Sequence, residues 1–299
     1  MKTPKDSLSY TFKYEGNFTS LDTLTVLQTQ LNFVTIISEI KDHQFPELKL
    51  DFKIEGLQKG SLDVQHVVEV ATVSGMFVIE HQEYIRTIFN IFKDLITIKK
   101  FLKGNRADKE DASSGDRITI YFNGDNINVS KDAIKIYQSS PIITSSILNT
   151  GKLLSENNEV EFVEVNEQNS KNKLLHIDKE AFDDLKEDNP YLLKATDEQM
   201  YHQQHLFIKK PNLFPEKKKK LIWELLHKGR DIKAVISDEG FIYKINEGLK
   251  VGQGDRLIAD LKVYLKFDER FNTFIESGKY EVKNIIEVIP RPINTKLDI

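Results

Sequence analysis

Gly56-Leu57-Gln58-Lys59-Gly60-Ser61 holds the ingredients of a phosphate cradle: two glycines, a lysine and a hydroxyl. Such a cradle works when the glycines lead into a helix N-terminus, whose free N–H groups face the phosphate. Here they lead into Leu62, Val64, His66, Val68 and Val70, an alternating run. They follow another, Leu48, Leu50, Phe52 and Ile54. The corner therefore reads as a hairpin connection, not a nucleotide site. His66 falls on the apolar side of its strand and reads as a core histidine, not a ligand or a base.

The other candidate chemistries are weaker. His202 and His205 would share a face on a helix and could begin a metal site. The segment runs into a strand, where residues three apart point to opposite sides, and a third ligand would have to come from His176, His227 or a carboxylate elsewhere. Gly252-Gln253-Gly254-Asp255 reads as a turn entering a strand, with Asp255 accepting backbone N–H bonds. No G-x-S-x-G, H-E-x-x-H or G-x-x-x-x-G-K-[ST] occurs. The chain has no cysteine, which excludes disulfides, thiolate metal sites and a Cys nucleophile. No catalytic residue, metal or cofactor is expected.

The most distinctive charged stretch is "KKPNLFPEKKKKLIW", where Lys209, Lys210, Lys217, Lys218, Lys219 and Lys220 bracket Leu213 and Phe214. The net charge is −4, yet residues 209–266 carry 14 Lys/Arg against 8 Asp/Glu, so the remainder sums to −10. Basic charge beside aromatic rings is what single-stranded nucleic acid needs, and Lys262, Tyr243 and Tyr264 would extend such a surface. The competing reading is a solvated hairpin tip, with Trp223, which alternates with Leu225, in the core.

These residues need elements to hold them. Leu8, Tyr10, Phe12 and Tyr14 alternate as a half-buried strand. Leu24, Leu27, Leu31 and Val34 recur at helical spacing, which predicts a helix over 21–42 capped by Ser20. With the 48–70 hairpin this makes a β-α-β-β unit, residues 1–80. Residues 81–103 form an amphipathic helix: Arg86, Asn90, Lys93, Thr97 and Lys100 make a narrow polar stripe, and Ile85, Ile88, Phe92, Leu95 and Ile96 a wide apolar face. That face is open to three readings: burial between domains, docking of a partner or second copy, or contact with a membrane surface.

Residues 104–116 are polar and read as a flexible linker. A middle α+β unit, 117–199, opens with the Asn123-Gly124 hairpin and a helix capped by Ser130. A second helix starts at Pro141. Residues 200–299 hold five alternating runs interrupted by one short helix between Asp238 and Gly248, which predicts a small β-barrel. In the fourth run Leu257, Ala259, Leu261, Val263 and Leu265 face in.

Three features occur together: the early unit with "KGS" before an alternating strand, the apolar helix before a hydrophilic stretch, and Asp238, Phe241, Gly248 and Gly254-Asp255 in the last block. The layout resembles a group of uncharacterised bacterial proteins carried by mobile elements and prophages. That resemblance implies a bacterial setting, with a role in anti-phage defence or in a mobile element, and brings no catalytic residue.

The expectation is an α+β protein that binds or assembles and is not an enzyme. It would work through protein contacts with a partner or with copies of itself, on the 81–103 helix and the basic barrel edge. A nucleic-acid-binding protein and an enzyme with a spatially assembled site are the alternatives. The N-terminus lacks an apolar signal run and no stretch of 18 apolar residues occurs, so a cytoplasmic location is expected.

Overall fold

A computed structural model describes residues 6–17, 21–57, 62–72, 81–112, 115–168, 173–192, 198–213, 220–270 and 273–291. The chain divides into two compact units, residues 1–196 with 267–274, and residues 197–266 with 275–299.

The first unit runs β1 (Asp6–Gly16), α1 (Thr23–Gln44), β2 (Leu48–Leu57), β3 (Leu62–Thr72), α2 (His81–Leu102), β4 (Lys109–Ala112), β5 (Arg117–Phe122), β6 (Asp125–Ser130), α3 (Lys131–Ser139), α4 (Pro141–Ser155), β7 (Val160–Glu167), β8 (Lys173–Asp178) and α5 (Lys179–Leu185). Its main sheet has the order β2-β3-β1-β7-β8, with β1 antiparallel to both β3 and β7. The N-terminal and middle units expected from the sequence therefore share one sheet and one core. At Gly16 the β1–β7 register shifts. A Cβ there would lie 1.9 Å from the Glu159 carbonyl oxygen, so only glycine lets the strands approach.

The expected linker 104–116 contains β4, which pairs antiparallel with β5 in the sheet β4-β5-β6. Lys-Glu-Asp-Ala at a solvent-facing edge needs no apolar alternation. The Asp108 carboxylate fastens the segment by accepting from Asn123 N–H at 2.8 Å. Asn123 and Gly124 both take positive φ, as the two-residue hairpin requires. Ser130 and Ser140 cap α3 and α4, and Pro141 opens α4. Asp22 caps α1; Ser20 and the Gln58–Ser61 corner with Lys59 lie outside the described residues.

Two helix faces correct the sequence reading. Ile85, Ile88, Phe92, Leu95 and Ile96 are all buried in the first unit's own core, beside Phe33, Tyr10 and Phe12. They are not a partner face, because α2 is a central helix: only its polar stripe meets water. In α1 the buried apolar side chains are Phe33, Ile36, Ile37 and Ile40, whereas Leu24, Leu27 and Leu31 are exposed. The helix carries two apolar stripes, and the more N-terminal one points outward.

A row of polar side chains crosses this core. Tyr10 lies opposite His66 on β3 and Glu167 on β7. His66 is 4% exposed and stacks on the Tyr10 ring at 5.1 Å, 6° from parallel. The Tyr10 hydroxyl, His66 Nε2 and Glu167 Oε2 are buried without hydrogen-bond partners among the described residues, while Glu167 Oε1 accepts from Arg86 at 3.0 Å. Burial holds the His66 pKa below its ordinary value. Below about pH 6.5 the unfolded chain gains a proton that native His66 refuses, so stability falls as pH drops through that window. Urea unfolding at pH 7.5 and 5.5 should show this loss, up to about 1.4 kcal/mol per pH unit from this group. His66→Phe should shrink the loss; an unchanged pH slope would contradict the assignment.

The second unit runs β9 (Glu198–Lys210), β10 (Ile222–His227), β11 (Arg230–Ile236), α6 (Glu239–Asn246), β12 (Arg256–Asp268) and β13 (Thr273–Ile289); the β12–β13 tip, 267–274, belongs to the first unit. The strands close into a barrel in the order β10-β11-β13-β12-β9. β9 pairs antiparallel with β10 and β12, and β11 pairs parallel with β13. Counted from β9, this is a 1-2-3-5-4 barrel closing on strand 1, with a helix between strands 3 and 4: the connectivity of an OB-type barrel. Leu257, Ala259, Leu261, Val263 and Leu265 fill it together with Trp223, Leu225 and Tyr201. Among the described residues no helix is long and apolar enough to cross a membrane.

Candidate partner-binding cleft

The barrel's end is shaped by α6. Asp238 caps the helix: Oδ1 accepts from Phe241 N–H at 2.9 Å, and Oδ2 accepts from Ile285 N–H on β13 at 2.7 Å. One carboxylate thus fixes both the helix start and its seat on the sheet. Phe241 turns inward and meets the Trp223 indole edge-on at 5.8 Å. The Trp223 N–H donates to the Asn212 carbonyl at 3.0 Å, tying down the segment that leaves β9. Gly248, at φ +100°, ends the helical segment.

Four of the eight residues of α6 are large apolar or aromatic, Phe241, Ile242, Tyr243 and Ile245, and of these only Phe241 is fully buried. Ile242 and Ile245, three apart, line a cleft of about 490 Å³. Leu213 and Leu221 form its wall on the β9–β10 connection, with Val235 and Ile236 from β11. Lys220, Ser237, Glu239, Asn246 and Glu281 supply the polar groups. Burial pushes the Glu281 carboxyl up, but hydrogen bonds from Lys283, Ser237 and Tyr264 and the Lys283 charge outweigh it and hold the pKa below the usual carboxylate range. Lys283 Nζ lies at 2.8 Å and the Tyr264 hydroxyl donates at 3.1 Å. The cleft therefore presents a fixed anion beside an apolar floor.

Of the lysines expected to contact nucleic acid, the four described ones are dispersed. Lys209 pairs with Asp231 across the barrel face, Lys210 is exposed, and Lys220 edges the cleft. Lys217, Lys218 and Lys219 lie outside the described residues. Lys262 is spent inside the protein: its side chain is 18% exposed, is bonded to Glu198 and lies over the Tyr264 ring. The hydrogen bond with Glu198 raises its pKa. On the β10–β11 face Lys233 stands opposite Glu224, and no aromatic side chain lies on either strand's outer side. Lys209 and Lys233 thus each meet a carboxylate once the strands pair.

The candidate ligand histidines stand apart. Gln203, at φ +52°, bulges β9 between His202 and His205. His202 points to solvent with Nδ1 3.2 Å from Asp260, His227 is buried against Gln204 at 3.0 Å, and His176 meets Glu164 at 2.9 Å in the other unit. No group of three His, Asp or Glu that could hold a metal occurs among the described residues. Asp255 serves its turn, accepting from Gly252 N–H at 2.8 Å and Arg291 N–H at 2.9 Å. Compared with family models, with curated proteins and with solved structures, the chain matches none.

Sequence reasoning did not find the cleft. Its lining comes from four separated segments, and only the excess of apolar residues in α6 over what a barrel end can bury hinted at it.

Proposed function

We propose that the chain is a binding protein that captures a segment of a partner polypeptide in the cleft between α6 and the β9–β10 connection. The observation that carries this reading is the cleft's composition. Its volume suits a ligand of a few residues. Its floor is apolar, and among the described residues its polar edge is Lys220, Glu239 and Glu281, the last paired with Lys283. An apolar side chain would find about 1.5–3 kcal/mol of burial, and a neighbouring Lys or Arg would add a charge-assisted bond to Glu281. The expected affinity is modest, on the order of 10 μM.

Selection of a phage-displayed random peptide library on the full chain tests this. Enriched peptides should combine a large aliphatic or aromatic residue with a nearby Lys or Arg. Ile242→Asp and Ile245→Asp should each weaken binding at least tenfold with unchanged circular dichroism, because each places a third carboxylate in the apolar floor. Enrichment of nothing, or of peptides that bind Ile245→Asp equally well, contradicts the reading.

A further inference from the structure

We infer that two copies of this chain associate through the outer face of α1, helix against helix about a two-fold axis. Leu24, Leu27 and Leu31 are 60%, 57% and 45% exposed. Their spacing, three then four, is that of a coiled-coil seam, and Val34 and Ser38, both half-buried, continue it. The inward stripe of Phe33, Ile36, Ile37 and Ile40 lies on roughly the opposite side of the helix at 3.6 residues per turn. The outer leucines are thus not left over from the core; they form a second seam that stays exposed, with Gln28 at its flank donating to the Arg270 carbonyl at 3.5 Å.

The charge pattern identifies the occupant. Residues 23–38 contain no acidic or basic side chain. In a chain that is 29% charged, a helix face facing water without one charge over four turns is unusual. A two-fold contact brings each residue near its own counterpart, so any charge there would meet its like. A neutral seam flanked by Thr23, Gln28 and Thr35 avoids that conflict, and the Gln and Thr side chains both donate and accept. A charged partner would find no ionic group on the helix itself over residues 23–38. A membrane-surface helix would carry Lys or Arg along its polar edge, and this seam has none. Two heptads bury less than a standard interface, so the dimer should be weak and concentration-dependent.

Sedimentation velocity on the full chain, from about 1 μM to several hundred μM, tests the inference. The expected result is a monomer that shifts to dimer over this range, as a small interface predicts. Leu27→Asp and Leu31→Asp, with unchanged circular dichroism, should stay monomeric throughout. If either misfolds, Leu27→Gln provides the same comparison without a charge. Because the chain has no cysteine, the single variant Leu27→Cys adds a geometric readout. Oxidation should trap a disulfide-linked dimer, whereas Lys53→Cys on the β2 edge should not crosslink. A monomer at every concentration overturns the inference. So does a dimer that survives Leu27→Asp, or co-sedimentation with anionic vesicles that Leu27→Asp abolishes while the protein stays monomeric.

Discussion

Trp223→Ala should cost the barrel about 3–5 kcal/mol, the range for removing a large buried aromatic. The side chain is fully buried and is the chain's single tryptophan. Three losses combine: the indole volume at the barrel's end, the edge-on contact with Phe241, and the N–H bond that satisfies the Asn212 carbonyl. Against a typical domain stability of about 5–15 kcal/mol, this takes a fifth or more of the total. Because Phe241 is the one fully buried residue of α6, the helix should detach with it and the cleft should vanish. Urea unfolding followed by circular dichroism measures the effect. Trp223→Phe, which keeps a ring but loses the N–H, should fall between the two. A cost under about 1 kcal/mol for the alanine variant would mean that the barrel does not depend on this plug.

Asp238→Ala should cost about 2–4 kcal/mol, more than the usual one or so for a helix cap. The excess comes from its second bond. Removing the carboxylate leaves both Phe241 N–H and Ile285 N–H without an acceptor, and an orphaned buried donor costs about 1–3 kcal/mol. Asp238→Asn keeps one side-chain oxygen and should recover roughly half. The same ordering, wild type above Asn above Ala, should appear in peptide affinity, since Ile242 and Ile245 are held where this cap puts them. Equal stability of the Asn and Ala variants would place the cost in lost charge and not in lost acceptors.

How much of this could be read from the sequence depended on distance along the chain. Local signals were legible. Asn123-Gly124 makes its turn, Ser130 caps its helix, Asp238 is the cap of the two that Ser237-Asp238 offered, and the alternation of Leu257 to Leu265 gives the inward face of β12. The five runs after residue 198 do close into a barrel. Long-range pairing was not legible. Nothing in "LSYTFKYEG" announces that β1 joins β7 some 150 residues later, so one sheet read as two units. The β4 segment lacked apolar residues because it is an exposed edge, and so read as linker.

Faces were harder still. Periodicity shows that Leu24, Leu27 and Leu31 share a side of α1 and that Ile85 and Phe92 share a side of α2; it does not show which side is covered. The structure exposes the first set and buries the second. Charge suffered the same ambiguity. Lys209 and Lys262 look free in sequence, because Asp231 and Glu198 approach them only through strand pairing.

The capture of a polypeptide by the α6 cleft is tested most directly by fluorescence anisotropy on the full chain. The probes are a labelled selected peptide and, separately, a labelled single-stranded oligonucleotide, at about 50 and 200 mM salt. The peptide should bind wild-type protein with an affinity that changes by less than about threefold between the two salts, because one charge pair is involved. It should lose binding to Ile245→Asp, and the oligonucleotide should not bind saturably at either salt. Oligonucleotide binding that falls steeply with salt, together with peptide binding that is absent or indifferent to Ile245→Asp, would contradict the account and return the function to the lysines of the β9–β10 connection.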